Sequence, residues 1–159
     1  MQLLERLGVM QGTILDFGAG TGLFAYEIEV RAGVGRYLTR NYEPSVAGQD
    51  EFPDGEQFDA VVCTHVLEHV EPHLLAGTLA QIVRAAKRAI YVEVPHGSAN
   101  RKLADGRDAH LIQEPHTYWW TQLTIAADPA EWDLWHHKGQ NPLNTVYVLV
   151  KKPVLGRLA

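Results

Sequence analysis

Three groups of residues in this chain could do chemistry. The first is Asp16 with Gly18, Gly20 and Gly22, set between the apolar pair Ile14-Leu15 and an apolar stretch beginning at Leu23. Glycine has no Cβ, so such a turn can adopt positive φ and let the backbone approach a ligand closely. The helix start that follows offers free N–H groups. A strand, a glycine turn and a helix in that order describe a nucleotide-type cofactor pocket at the first strand-to-helix turn of an α/β sheet. The second group is Thr64-His65-Val66-Leu67-Glu68-His69-Val70, directly after the β-rich run Phe58–Cys63. The third is a set of histidines, His96, His110 and His116, each able to take a proton near neutral pH.

The spacing narrows the cofactor. A dinucleotide fingerprint is G-x-G-x-x-G/A, with the helix N-terminus meeting a pyrophosphate. Here the spacing is G-x-G-x-G and Leu occupies position 23. A carboxylate at Asp16 repels a pyrophosphate and attracts an ammonium group. S-adenosylmethionine has no phosphate and carries an α-amino group and a sulfonium cation. Residues Ile14 to Ala25 resemble motif I of the class I S-adenosylmethionine-dependent methyltransferases. The plain alternative is an ordinary glycine turn in a Rossmann-like protein.

The resemblance spans residues 13–152, is specific at motif I, good around Phe58–Val70 and weak after Pro95. It implies S-adenosylmethionine contacts from Asp16, Gly18, Ala19, Gly20 and Gly22. An acidic residue at the end of the second strand accepts hydrogen bonds from ribose hydroxyls, and Glu43 occupies that position, 25 residues after Gly18. Asp50 is then the candidate for the adenine amino group, with Gln49 near the ring. The end of the fourth family strand puts Thr64 and His65 near the methionine moiety and the acceptor. The Val66–Val70 segment is similar to one found in small-molecule and quinone methyltransferases.

The same letters spell His-x-x-Glu-His, an inverted zinc-protease signature. A further reading has His65, Glu68 and His69 holding a divalent ion. The plain reading has no metal, with His69 bonding a neighbouring loop, and it is the one adopted. Methyl transfer is an in-line displacement at a sulfonium with a neutral leaving group, so positioning and exclusion of water dominate. A base helps where the acceptor is a hydroxyl or protonated amine. His65 and His96, each following a strand, are the candidate catalytic residues, with His110 and His116 in or beside a long connection. Tyr118, Trp119 and Trp120 are read as core in preference to a substrate wall.

These residues need a scaffold. A length of 159 residues suits a single domain over 1–159. The net charge is −5 with mixed signs, which favours no broad nucleic-acid surface. The lone Cys63 excludes an internal disulfide and fits a reducing compartment. No membrane span or signal peptide is visible, so a cytoplasmic protein is expected. The pattern predicts a leading helix over Met1–Val9 and a strand over Thr13–Phe17. A helix after Gly22 ends at Gly33-Val34-Gly35, and a strand over Arg36–Tyr42 follows. After the strand at Phe58–Cys63, Pro72 opens a helix with the stripe Leu75, Leu79, Ile82, Val83 and Ala86. A strand over Ile90–Val94, a polar connection over Gly97–His116 and a short helix capped by Thr117 complete the middle. Strands near Glu131–His137 and Thr145–Lys152 read as a hairpin.

The expected fold is α/β, a Rossmann-like doubly wound and mostly parallel sheet with helices on both faces and a C-terminal antiparallel hairpin. It is abbreviated around the third strand, because only 14 residues separate Glu43 from Phe58. That loss opens the adenine side of the pocket, and an uncovered sheet edge would favour a homodimer. The expected function is S-adenosylmethionine-dependent methyl transfer to an O or N atom of a small-molecule acceptor. The alternative is a catalytically silent cofactor- or partner-binding module. A nicotinamide oxidoreductase is disfavoured by Asp16 and the glycine spacing.

Overall fold

A computed structural model describes residues 9–33 and 35–153. The leading helix expected over Met1–Val9 therefore lies outside the described residues, except for Val9. That residue is buried, and its carbonyl accepts a hydrogen bond from the Tyr37 hydroxyl at 2.9 Å.

The chain runs β1 (Gly12–Phe17), α1 (Leu23–Ala32), β2 (Tyr37–Tyr42), β3 (Phe58–Thr64), α2 (Leu75–Ala85), β4 (Ala86–Pro95), α3 (His116–Ala126), β5 (Trp132–Lys138) and β6 (Asn144–Lys151). Six strands form one sheet in the order β2-β1-β3-β4-β6-β5. β1, β2, β3 and β4 pair in parallel, whereas β6 runs antiparallel to both β4 and β5. The sheet is thus the mostly parallel, Rossmann-like one expected, with the expected hairpin. β1 and β3 lie inside it and are apolar on both faces, as strands covered on both sides must be. Among the described residues no strand lies between Tyr42 and Phe58, so β2 is the sheet edge.

Alternation along the strands divides the core. Leu15, Val61, Cys63, Ile90, Val92 and Leu149 pack against α2 and α3 through Leu75, Leu79, Ile82, Trp119 and Leu123. Ile14, Ala60, Val62 and Ala89 face the other way, against Ile28 of α1. Helices do cover both faces, but unequally. Period-two alternation places Asp16 on the α1 face with Ile14.

Several boundaries differ from expectation for local reasons. Pro72 opens a separate 3-10 turn, Pro72–Leu74, and α2 begins only at Leu75. The backbone becomes extended at Ala86, so β4 starts four residues before Ile90. Pro115, and not Thr117, stands at the N-cap of α3; no side chain caps that helix, and the Thr117 position is already within it. Trp119 is fully buried, in keeping with the core reading of the aromatic cluster.

Candidate functional site

The site begins where β1 ends. Gly18 has φ 77°, and a Cβ there would lie 2.3 Å from Val66 Cγ2. No other residue fits that contact. The N–H groups of Gly18 and Ala19 both donate to the carbonyl of Tyr42, at 2.8 and 3.0 Å. This clamps the turn to the end of β2. Gly22, at φ 75°, is the left-handed N-cap of α1, and its N–H donates to Ala19 O at 2.8 Å.

β2 delivers Glu43 to the same place. Its Oε2 accepts from the Gly20 N–H at 2.9 Å, and its Oε1 accepts from the Ser45 hydroxyl at 2.7 Å and N–H at 3.1 Å. The Ser45 bonds lead in holding this carboxyl below its usual range. Asp16 sits beneath the turn at 3% exposure, and its Oδ2 has no partner. Burial first, and the charge of Glu43 second, push its pKa up to about 6. A buried carboxylate oxygen without a donor is costly.

A cleft of ≈ 560 Å³ opens over the turn, within the usual range of small-molecule sites. Gly18, Gly20 and Glu43 line one side, and His65, His69 and Leu74 line another. The structure therefore brings Gly18, Gly20, Glu43 and His65 to one cleft, with Ala19 and Gly22 shaping the turn through their backbones; Asp16, in β1 just before the turn, feels the charge of Glu43 but is not among the cleft's lining residues. It does not bring Asp50 there. Asp50 is exposed, and its Oδ1 accepts from the Gly48 N–H at 2.9 Å in a local turn. Gln49 lies closer, its carbonyl accepting from the Glu43 N–H at 2.8 Å. Thr64 ends β3 opposite Glu93 without lining the cleft.

His65 is one of two non-glycine residues with positive φ among the described residues, at 57°. Its N–H donates to the carbonyl of Glu93 at 2.9 Å. That bond fixes the ring at the cleft, where half of the side chain is exposed. Strain of this kind is held in place only by its surroundings and concentrates at functional positions. Nδ1 of His65 lies 3.7 Å from Glu68 Oε1, and Nε2 lies 3.9 Å from Glu93 Oε1. Asn144 Nδ2 donates to Glu93 Oε1 at 2.8 Å, and Tyr91 donates its hydroxyl to Glu93 Oε2 at 3.1 Å.

His96 differs from expectation. Nδ1 bonds the carbonyl of Glu114 at 3.1 Å, and Nε2 bonds Thr145 Oγ1 at 2.7 Å. With both ring nitrogens engaged and the ring outside the cleft lining, it ties the long connection to β6 and is not free to act as a base. His116 stacks on His136, also away from the cleft. His69 bonds the connecting loop through Nδ1 to Ala109 O at 2.7 Å.

Glu93 and Asn144 were not among the expected site residues, and Glu68 entered only through the metal reading that was set aside. Glu68 is fully buried, neither carboxylate oxygen has a hydrogen-bond partner, and burial pushes its pKa up to about 7. The signal for Glu93 was an acid inside the apolar run Ile90–Val94. Glu68, His69 and His110 offer ligand atoms that all lie within 4.8 Å of one another.

Comparison with known proteins gives one family and a set of distant folds. No curated protein matches the sequence at a significant level. The Burkholderia thailandensis 1,6-didemethyltoxoflavin-N1-methyltransferase, solved with its substrate and S-adenosylhomocysteine, superposes with a TM-score of 0.65 at 17% identity, over 95% of this chain and 75% of that one. A chain of the Pnkp1/Rnl/Hen1 RNA repair complex superposes at TM-score 0.67 and 14% identity, over 94% of this chain and 40% of that one. A complex of the Haloferax volcanii Trm112 methyltransferase activator with its partner superposes at TM-score 0.68 and 14% identity, over 96% and 88%. The chain spans well under half of the RNA-repair chain. The methyltransferase domain family matches residues 1–138. That match covers the glycine turn, the Glu43 corner and the cleft, so the chain belongs to the methyltransferase domain family.

Proposed function

We propose that the protein transfers the methyl group of S-adenosylmethionine to an oxygen or nitrogen atom of a small-molecule acceptor. One observation carries this reading: in β1, just before the glycine turn that lines the cleft, Asp16 is buried and its Oδ2 has no partner. In this reading Asp16 receives the α-amino group and the Gly18–Gly20 backbone admits the methionine tail. Glu43 exchanges its Ser45 bonds for ribose hydroxyls. His65 faces the acceptor and takes its proton when that acceptor is a hydroxyl or protonated amine. The toxoflavin precursor held by the neighbouring fold supports a small acceptor. So does a cleft whose volume is ordinary for drug-sized ligands.

Isothermal titration with S-adenosylmethionine and S-adenosylhomocysteine tests the cofactor, and a panel of phenols, amines and heterocycles tests the transfer. Binding that vanishes in Asp16→Asn, with labelled methyl appearing in an acceptor, is the expected result. Absence of any heat at millimolar cofactor overturns the reading.

A second reading keeps the cofactor and drops the transfer. It is favoured by the segment Pro44–Gln57, which contains neither helix nor strand. Cofactor binding with no methylation across the panel selects it.

A further inference from the structure

We propose that Glu68, His69 and His110 form a binding site for one divalent transition-metal ion at the edge of the cleft. The His-x-x-Glu-His run suggested an ion between His65, Glu68 and His69; the tertiary structure substitutes His110, 41 residues beyond His69 in the chain.

Four observations carry it. Glu68 is fully buried and neither carboxylate oxygen has a hydrogen-bond partner, a state that a cation relieves. The two imidazoles are already in the tautomer a metal requires. Nδ1 of His69 lies 2.7 Å from Ala109 O, and Nδ1 of His110 lies 2.7 Å from Gly97 O. A carbonyl only accepts, so each Nδ1 carries the hydrogen and each Nε2 keeps its lone pair. Backbone carbonyls in that role are the usual outer support of metal-bound histidines. The spacing is close to that needed: Nε2 of His69 lies 3.8 Å from Glu68 Oε1, and all three ligand atoms lie within 4.8 Å of each other. Metal–ligand bonds of about 2.1 Å place neighbouring ligands roughly 3–4 Å apart, so a small closing rotation completes the set. Finally, the loop is held in register without an ion, because the Ile112 N–H donates to the carbonyl of Glu68 at 3.0 Å.

Two imidazoles and one carboxylate suit zinc and its first-row neighbours better than magnesium or calcium, which prefer all-oxygen sets. Three protein ligands leave a position open, as in catalytic sites, and His69 lines the cleft. The ion would also clip the connection Gly97–Pro115 to the turn after β3.

The test titrates the full-length, metal-stripped protein with Zn²⁺, Co²⁺ and Mg²⁺ in separate experiments, with neither cofactor nor acceptor present. One equivalent of Zn²⁺ should bind, and Co²⁺ should give visible d–d bands of a nitrogen-containing site. His110→Ala, His69→Ala and Glu68→Gln should each weaken Zn²⁺ binding at least tenfold, whereas His73→Ala, at an exposed position, should leave it unchanged. Zn²⁺ should raise the thermal midpoint of the wild type and not that of His110→Ala, whose own metal-free melt reports that it is folded. Absence of Zn²⁺ binding, undiminished binding in His110→Ala and His69→Ala, or Mg²⁺ binding as tight as Zn²⁺ overturns the site. The readout needs no methyl transfer, so failure here leaves that reading standing, and failure of cofactor binding leaves this site standing.

Discussion

Asp16 shows how a single residue couples function to stability. Its carboxyl is raised from 3.8 to about 6 in the folded protein. The unfolded chain therefore ionises it more readily, and folding is disfavoured by up to about 3 kcal/mol once the pH exceeds 6. Below 3.8 the group is neutral in both states and the penalty is absent. Asp16→Asn should thus be more stable than wild type at pH 7.5 in urea unfolding, with the difference shrinking toward pH 4, and should lose cofactor binding. Cofactor affinity itself should fall as pH drops through 6, approaching tenfold per unit, because the protonated carboxyl no longer attracts an ammonium; calorimetry between pH 5 and pH 8 reads this. Gly18→Ala drives a methyl group into Val66, at 2.3 Å from Cγ2 and at φ 77°. It should lose about 1–3 kcal/mol of stability, and Val66→Ala should recover only the steric part. These roles were legible at Asp16 and the glycines, because their chemistry is local to one turn. Asp50 instead accepts from the Gly48 N–H, because an acid two residues after a glycine can bond the backbone of its own turn as readily as a ligand.

At the scale of elements, the long connection between β4 and α3 is pinned by histidines. His96 joins Glu114 to Thr145 of β6, His110 bonds Gly97, and His69 bonds Ala109. His96→Ala should raise amide hydrogen exchange across 97–115 while leaving β1 and β3 protected, because those strands carry the core and the loop does not. Uniform loss of protection across the sheet would contradict that role. The histidines were visible in sequence as chemistry-bearing residues. Their partners were not, since each bond joins positions 13–49 residues apart. The start of α3 illustrates the same limit: Thr117 had the chemistry of a cap, but Pro115 fixed the backbone two residues earlier.

For the whole molecule, binding and folding are linked. A ligand at 100 times its dissociation constant stabilises the native state by about 2.7 kcal/mol. S-adenosylhomocysteine should therefore raise the thermal midpoint of the wild type and leave that of Asp16→Asn unmoved in a thermal-shift series. The sheet that supports this site has one well-covered face, under α2 and α3, and one covered, among the described residues, by α1. Loss of a strand beyond β2 is tolerated because it removes an edge and not a core strand.

Patterns confined to a few consecutive residues, the glycine turn after an apolar strand, the buried run Phe58–Cys63 and the late hairpin, were enough to determine the fold class. Each works through backbone sterics and side-chain periodicity, which neighbouring residues impose on one another. Tertiary structure alone decided that His96 is a tether, that Asp50 bonds Gly48 outside the cleft lining and that His110 joins Glu68 and His69. Those outcomes depend on where a long polar loop closes, and loop closure is set by distant partners whose pairing leaves no period in the sequence.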